Sequence, residues 1–245
     1  MPDQKVESSP QMVARIGGVL YLIVIGAGIL VEASVRDKLI VSGEAAATAS
    51  NIMAHQLLWR VSIAGELVGQ ACSVALARVF YVLLRPVSRN LALLALLFNL
   101  VSIAIEVANS LNLFAALFLL GSADYLKAFE PNQLHALSYL SLKSQGYGFG
   151  ISLVFFGCEC LVLGYLIFRS GYLPRFLGVL MQIAGVCYLI NSFALFLSPA
   201  FENSIFPAIL IPSLIGESSL CLWLIVKGVN VPKWQERLGG ADQVG

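Results

Sequence analysis

Six apolar runs, each long enough for a membrane crossing, alternate with polar segments along this chain, at about 12–33, 56–84, 91–120, 147–168, 176–197 and 208–226. A helix rises 1.5 Å per residue, so about twenty apolar residues cross the roughly 30 Å hydrocarbon core of a bilayer. The run 91–120 is the most informative. It carries one formal charge, Glu106, and its polar residues are not scattered. At 100° per residue Asn99, Ser102, Glu106, Asn109 and Ser110 fall within about 100° of arc, which assigns them to one helix face. Lipid would take the remaining arc, and the polar stripe would face protein or water.

The polar segments define the rest of the organisation. Residues 1–11 read as a disordered cytoplasmic lead, 12–228 as one six-span membrane domain, and 229–245 as a cytoplasmic tail. The first run is too long for a signal-peptide core and lacks a small-x-small cleavage site, which predicts a retained helix. Between the first two runs, Ser42 is placed to cap a surface helix starting near Glu44, with Ala45, Ala46 and Ala47 as strong helix formers. Between the third and fourth, Pro131 precedes an amphipathic pattern, Leu134, Leu137 and Leu140, that predicts an interfacial helix. The expected class is therefore all-α: a polytopic bundle of six transmembrane helices with short helical segments over the outer face.

Charge sets the expected orientation. With both termini inside, the inner segments collect Lys5, Arg15, Arg85, Arg89, Arg169, Arg175, Lys227, Lys233 and Arg237. The outer loops hold Arg36, Lys38, Lys127 and Lys143, so the basic bias follows the positive-inside rule for a multi-pass protein of the cell (inner) membrane. Composition agrees: 58% of residues are hydrophobic and 12% charged, against about 25% charged in a typical soluble domain. The net charge of +1 gives no case for nucleic acid. All five cysteines lie in apolar runs, where thiols behave as small hydrophobes.

A weak internal repeat accompanies this pattern. Runs one, three and five open on Arg15, Arg89 and Arg175, each followed by a small residue three positions on (Gly18, Ala92, Gly178). Runs two, four and six close as YVLLR, YLIFR and WLIVK. Basic and aromatic anchors gather at inner helix ends in any case, so the alternatives are an ancestral two-helix unit or that general bias.

The interior carries the chemistry. Glu32, Glu66, Glu106, Glu159 and Glu217 fall in five of the six runs, Glu32 near an outer end and the others near mid-depth. Ionisable groups at such depth cost several kcal/mol and mark functional sites by default. Together with Gln70, Asn99, Asn109, Gln182 and Asn191 these four glutamates form the candidate polar cavity. Its expected ligand is an unknown small solute or cation, or protons, with Arg60 and Arg78 available to pair. The bland alternative is that protonated carboxyls and amides act as glue between helices. The function classes are then a small transporter or solute-binding protein, or a non-transporting sensor or accessory subunit. Intramembrane enzymes fare poorly, because His55 and His135 both fall outside the runs, leaving no base for a serine nucleophile and no axial haem ligand. No cofactor is expected, although a carboxylate-only metal site stays open. Oligomeric state is not legible, and the lipid bilayer is the one partner implied.

Gly65 and Gly69 are spaced for a small-xxx-small helix contact, and Gly150, Gly157 and Gly164 recur every seven residues. Pro212, five residues before Glu217, predicts a kink beside the cavity.

Several stretches also resemble a known family when taken together: GEAAATASN at 43–51, YVLLRPVSRN at 81–90, SGYLPRFLG at 170–178, and Gly216-Glu217. They are similar to a prokaryotic multi-span family catalogued as a domain of unknown function (family 4386), over roughly residues 12–228. The resemblance implies a polytopic cell-membrane protein. It implies no catalytic signature and no site residues.

Overall fold

The structure is a computed structural model that describes residues 9–31 and 35–241, with no account of the side chains of Asp37, Gly240 and Ala241. Glu32 and residues 1–8 lie outside the described residues. In chain order the helices are α1 (Pro10–Val31), α2 (Asp37–Leu39), α3 (Ala45–Ala54), α4 (Gln56–Leu84) and α5 (Arg89–Leu119). Then follow α6 (Pro131–Ser170), α7 (Arg175–Leu197), α8 (Pro199–Ile205), α9 (Ile211–Val226) and α10 (Val231–Ala241). Six of them, α1, α4, α5, α6, α7 and α9 with its preceding 3₁₀ turn, are long and apolar enough to cross a membrane.

These six close into a ring. Each packs on its neighbour in sequence, and α9 returns to pack on α1. The paired contacts run in opposite directions along consecutive spanning helices, so three antiparallel hairpins (α1–α4, α5–α6, α7–α9) stand side by side. The sequence repeat maps onto this arrangement. Gly18 meets the α9 backbone at Cys221 and Ile225, and Gly178 meets the α6 backbone at Gly164 and Phe168. Thus the small residue after each opening arginine on α1 and α7 lets that helix approach the preceding hairpin. Ala92, the third such residue, is buried and lines a small void with Phe80 and Leu84 of α4.

Glycines set the closest approach in the ring. A Cβ at Gly164 would lie 2.6 Å from the carbonyl oxygen of Gly178, and one at Gly185 would lie 2.7 Å from that of Gly157. Only residues without a Cβ let two backbones touch in this way. The seven-residue spacing on α6 is therefore matched by Gly178 and Gly185, also seven apart, on α7. Gly65 has nothing within 4 Å of such a Cβ, and Gly69 meets only the Ala27 methyl at 3.6 Å. That expected contact is not a close crossing, because spacing alone does not say which face of a helix has a neighbour.

Four further boundaries differ from expectation. Helix α6 is a single 40-residue element, so the segment after Pro131 is not a separate interfacial helix. Glu130 and Gln133 form a capping box at its start, and Tyr139 accepts from the Gly43 amide just ahead of α3. At about 60 Å it outruns the bilayer by roughly 30 Å. Helix α3 starts at Ala45 without a side-chain cap, and Thr48 instead bonds the Val41 backbone. Pro212 sits in the first turn of α9, where its missing N–H costs nothing, so it starts a helix and does not kink one. The polar tail contains α10, whose Trp234 is buried.

The face carrying the ends of α4, α6 and α9 is sealed by long-range bonds. Leu83 belongs to the last turn of α4, where carbonyls lack intrahelical donors. Its oxygen accepts from the Tyr172 hydroxyl at 2.6 Å and from Trp234 Nε1 at 3.0 Å. Gln11 accepts from the Val229 amide and donates to the Lys227 carbonyl, so α1, α4, α9 and α10 meet on this one terminal face. Burial pushes the Tyr172 hydroxyl above the usual phenol range, against a smaller opposing pull from Arg237. A raised folded-state value means the contribution is complete below the ordinary phenol value, about pH 10, and is lost as pH climbs beyond it. Tyr172→Phe should cost about 1 kcal/mol in thermal melts at neutral pH. The gap between the two proteins should narrow above about pH 10. Equal melting at pH 7 would show that this bond contributes nothing.

Candidate functional site

The nine candidate residues divide by depth. Counted along each helix from the terminal face at 1.5 Å per residue, Glu66 and Glu106 lie about 26–27 Å in, and Glu159 and Glu217 about 14–17 Å in. The glutamates therefore form two tiers roughly 10 Å apart, not one layer.

The pair nearer the terminal face, Glu159 and Glu217, occupies the ring interior. Glu159 on α6 is 4% exposed and accepts from Asn99 Nδ2 of α5 at 2.5 Å. Glu217 on α9 is 8% exposed and accepts from the Tyr188 hydroxyl of α7. Each carboxyl is thus held by the other helix of its own hairpin. Tyr21 of α1 also bears on Glu217, and the two carboxyls lie within electrostatic range of each other. Phe80 of α4 closes the group with an edge-on contact to Tyr21 at 5.8 Å. Among the described residues, neither carboxyl has a basic partner. Asn99 Oδ1 is buried without a hydrogen-bond partner. A cavity of about 10 Å³ borders Glu159 between α4 and α5, walled by Ala77, Ala92, Ala95 and larger apolar residues. That is close to the smallest volume that holds one water.

The outer tier is arranged differently. Arg36, from the connection after α1, makes a two-pronged pair with Glu66 at 3.0 and 3.1 Å. Glu106 accepts from Ser152 Oγ at 2.9 Å and lies within range of Glu66 and Arg36. Ser102 Oγ bonds the Ser152 carbonyl and Asn109 Nδ2 the Gln145 carbonyl, while Ser138 Oγ bonds the Ala116 carbonyl. With Asn99–Glu159, these contacts stitch α5 to α6 over about 26 Å. All five members of the polar stripe on α5 are buried.

The remaining candidates stand apart. Gln70 is half-buried, one turn from Glu66, and Gln182 packs its stem against Gly164. Asn191 is 5% exposed with an unpartnered Oδ1, at the depth of the outer tier on α7. Arg60 and Arg78 are exposed and, among the described residues, pair with none of the glutamates. Sequence reasoning missed Tyr21, Tyr188, Ser152 and Arg36 as members of the two tiers. Tyr188 and Tyr21 read as ordinary aromatic positions in apolar runs, and Arg36 as a loop cation. Their roles depend on which helices adjoin across the ring. Among the described residues, no group of three or more His, Cys, Asp or Glu is placed to hold a metal ion.

Comparison with known proteins adds a family but no chemistry. Residues 16–228 match the family described as domain of unknown function (DUF4386). An uncharacterised protein of Archaeoglobus fulgidus is 32% identical over 168 residues, covering 68% of this chain and 83% of the relative. No solved structure matches. With the family match covering nearly all of the six-helix ring, the chain belongs to the DUF4386 family of unknown function.

Proposed function

We propose that this protein is a proton-linked transporter of the cell membrane, with both termini cytoplasmic and the exchangeable proton held between Glu159 and Glu217. One observation carries the reading. Two buried carboxyls from different hairpins lie within range of each other, and their partners are neutral: Asn99, Tyr188 and Tyr21. Two uncompensated negative charges in a dry interior are too costly to persist, so charge balance calls for a bound proton or a bound cation. The adjoining void accepts nothing larger than a water, which favours the proton over an organic solute at this position. The outer tier offers a polar route towards the far face through Ser102, Ser152, Glu106 and Glu66. The orientation rests on the basic bias of the terminal-face segments.

A second reading has its own support. The contacts between α5 and α6 include a bond from Ser152 to Glu106, as interhelical glue would, and this fits a non-transporting sensor or accessory subunit. Proteoliposomes loaded with a pH-sensitive dye separate the two. An imposed pH gradient should drive proton flux in wild type. Glu159→Gln and Glu217→Gln should fall to the level of empty liposomes with melting temperatures preserved. Flux retained in both variants, or wild type indistinguishable from empty liposomes, overturns the transport reading.

A further inference from the structure

A groove of about 630 Å³ opens on the terminal face, remote from the carboxyl tiers. Its walls come from three separate stretches: Pro86 in the α4–α5 connection, Ser170 and Gly171 at the end of α6, and Lys233, Glu236 and Arg237 on α10. Nothing in the proposed transport role uses it. We propose that this groove is a binding site for the phosphate-bearing headgroup of an anionic phospholipid, with α10 as its outer wall.

Position argues first. Pro86 follows α4 by one residue past its C-cap, and Ser170 is the last residue of α6, so the groove lies where spanning helices leave hydrocarbon. That is the depth of lipid phosphates and not of the bulk aqueous phase. Charge argues second. Lys233 and Arg237 are exposed on the groove wall, against Glu236 as the one acid among its described lining residues. Basic pockets at this level of a membrane protein select anionic headgroups. The wall is also prebuilt. Trp234 is 5% exposed and bonded to Leu83, the Asn230 amide donates to the Tyr172 carbonyl, and Arg237 Nη2 donates to the Arg169 carbonyl at 3.3 Å. Helix α10 is thereby locked against the α6–α7 turn, with Lys233 one residue from the buried tryptophan and turned outward. A lipid would find its site formed and would lose little to ordering.

The test compares purified protein in a neutral detergent with added phosphatidylglycerol, phosphatidylcholine, soluble glycerol phosphate or inorganic phosphate. Phosphatidylglycerol at about ten times its Kd should raise the melting temperature by about 3–5 °C, and phosphatidylcholine should not. Native mass spectrometry should retain one phosphatidylglycerol per chain. Lys233→Gln with Arg237→Gln should abolish both signals, while Lys233→Arg keeps them. Because Arg237 also bonds a backbone carbonyl, Lys233→Glu carries the test alone if the double variant folds poorly, and it should halve the shift or more. Equal shifts from the two lipids, or a phosphatidylglycerol shift that survives Lys233→Glu, overturn the proposal. The same shift from inorganic phosphate or glycerol phosphate makes this a soluble-anion site and overturns the lipid assignment.

Discussion

Gly178→Val should destabilise this protein by about 3 kcal/mol or more, the upper end for overpacking a filled interior. The position tolerates no side chain: its Cβ would lie 2.6 Å from the Gly164 carbonyl oxygen and 2.7 Å from the Phe168 amide nitrogen. Both obstacles are backbone, so no rotamer change relieves them, and α6 and α7 must separate. Separation would also lift Gly185 off Gly157, because the two contacts lie on one seam. For a chain of this size each kcal/mol lowers the melting temperature by about 2–4 °C, giving a drop of about 6–12 °C. Gly65→Val is the control, since that side chain enters open space. It should stay within about 0.5 kcal/mol of wild type. If the two variants melt together, the glycine seam is not what holds the hairpins.

The second large effect is expected at Asn99 and Glu159, as non-additivity. Glu159→Leu removes the acceptor of Asn99 Nδ2 and leaves a buried amide whose Oδ1 already lacks a partner. Asn99→Leu strips Glu159 of its donor. Each single change should cost about 1–3 kcal/mol, the penalty for a buried polar group left unmatched. Replacing both by leucine removes the mismatch along with the bond, so the double variant should melt near wild type. The resulting coupling energy should then be about 2 kcal/mol or more, the sum of the two single costs and towards the upper end for residues in contact. Simple additivity would mean that water, and not Asn99, satisfies the Glu159 carboxyl.

How far the sequence reaches is visible in α5 and α6. Helical periodicity alone placed Asn99, Ser102, Glu106, Asn109 and Ser110 on one face, and all five are buried against protein. The span count and all-helical class follow from the same arithmetic, since backbone groups in lipid leave few other solutions. Periodicity could not say what faces that stripe. The partners Ser152 and Gln145 lie 46 and 36 residues away along the chain, and their distance from Glu106 and Asn109 is fixed only by packing. The same limit explains the glycines: Gly65-x-x-x-Gly69 matches a packing pattern and meets only the Ala27 methyl, whereas Gly178 and Gly185, without that four-residue spacing, touch backbone. Depth was the other loss. Tiers emerge only when each helix is indexed from a common face, and that face is defined by bonds such as Tyr172 to Leu83, which join segments far apart along the chain.

Helix α6 is gripped unlike on its two sides. Towards α5 it is riveted by directional hydrogen bonds from Asn99 to Ala116, each of which fixes the axial position of one helix against the other. Towards α7 it rests on bare glycine backbone, and among the described residues no side-chain hydrogen bond crosses that seam. The α6–α7 boundary therefore lacks the axial pins of the α5–α6 boundary, and its register is set by the fit of backbone on backbone. Glu159 belongs to the α5–α6 hairpin and Glu217 to the α7–α9 hairpin, so the placement of one carboxyl against the other depends on that fit, whereas the amide or hydroxyl that holds each lies within its own hairpin.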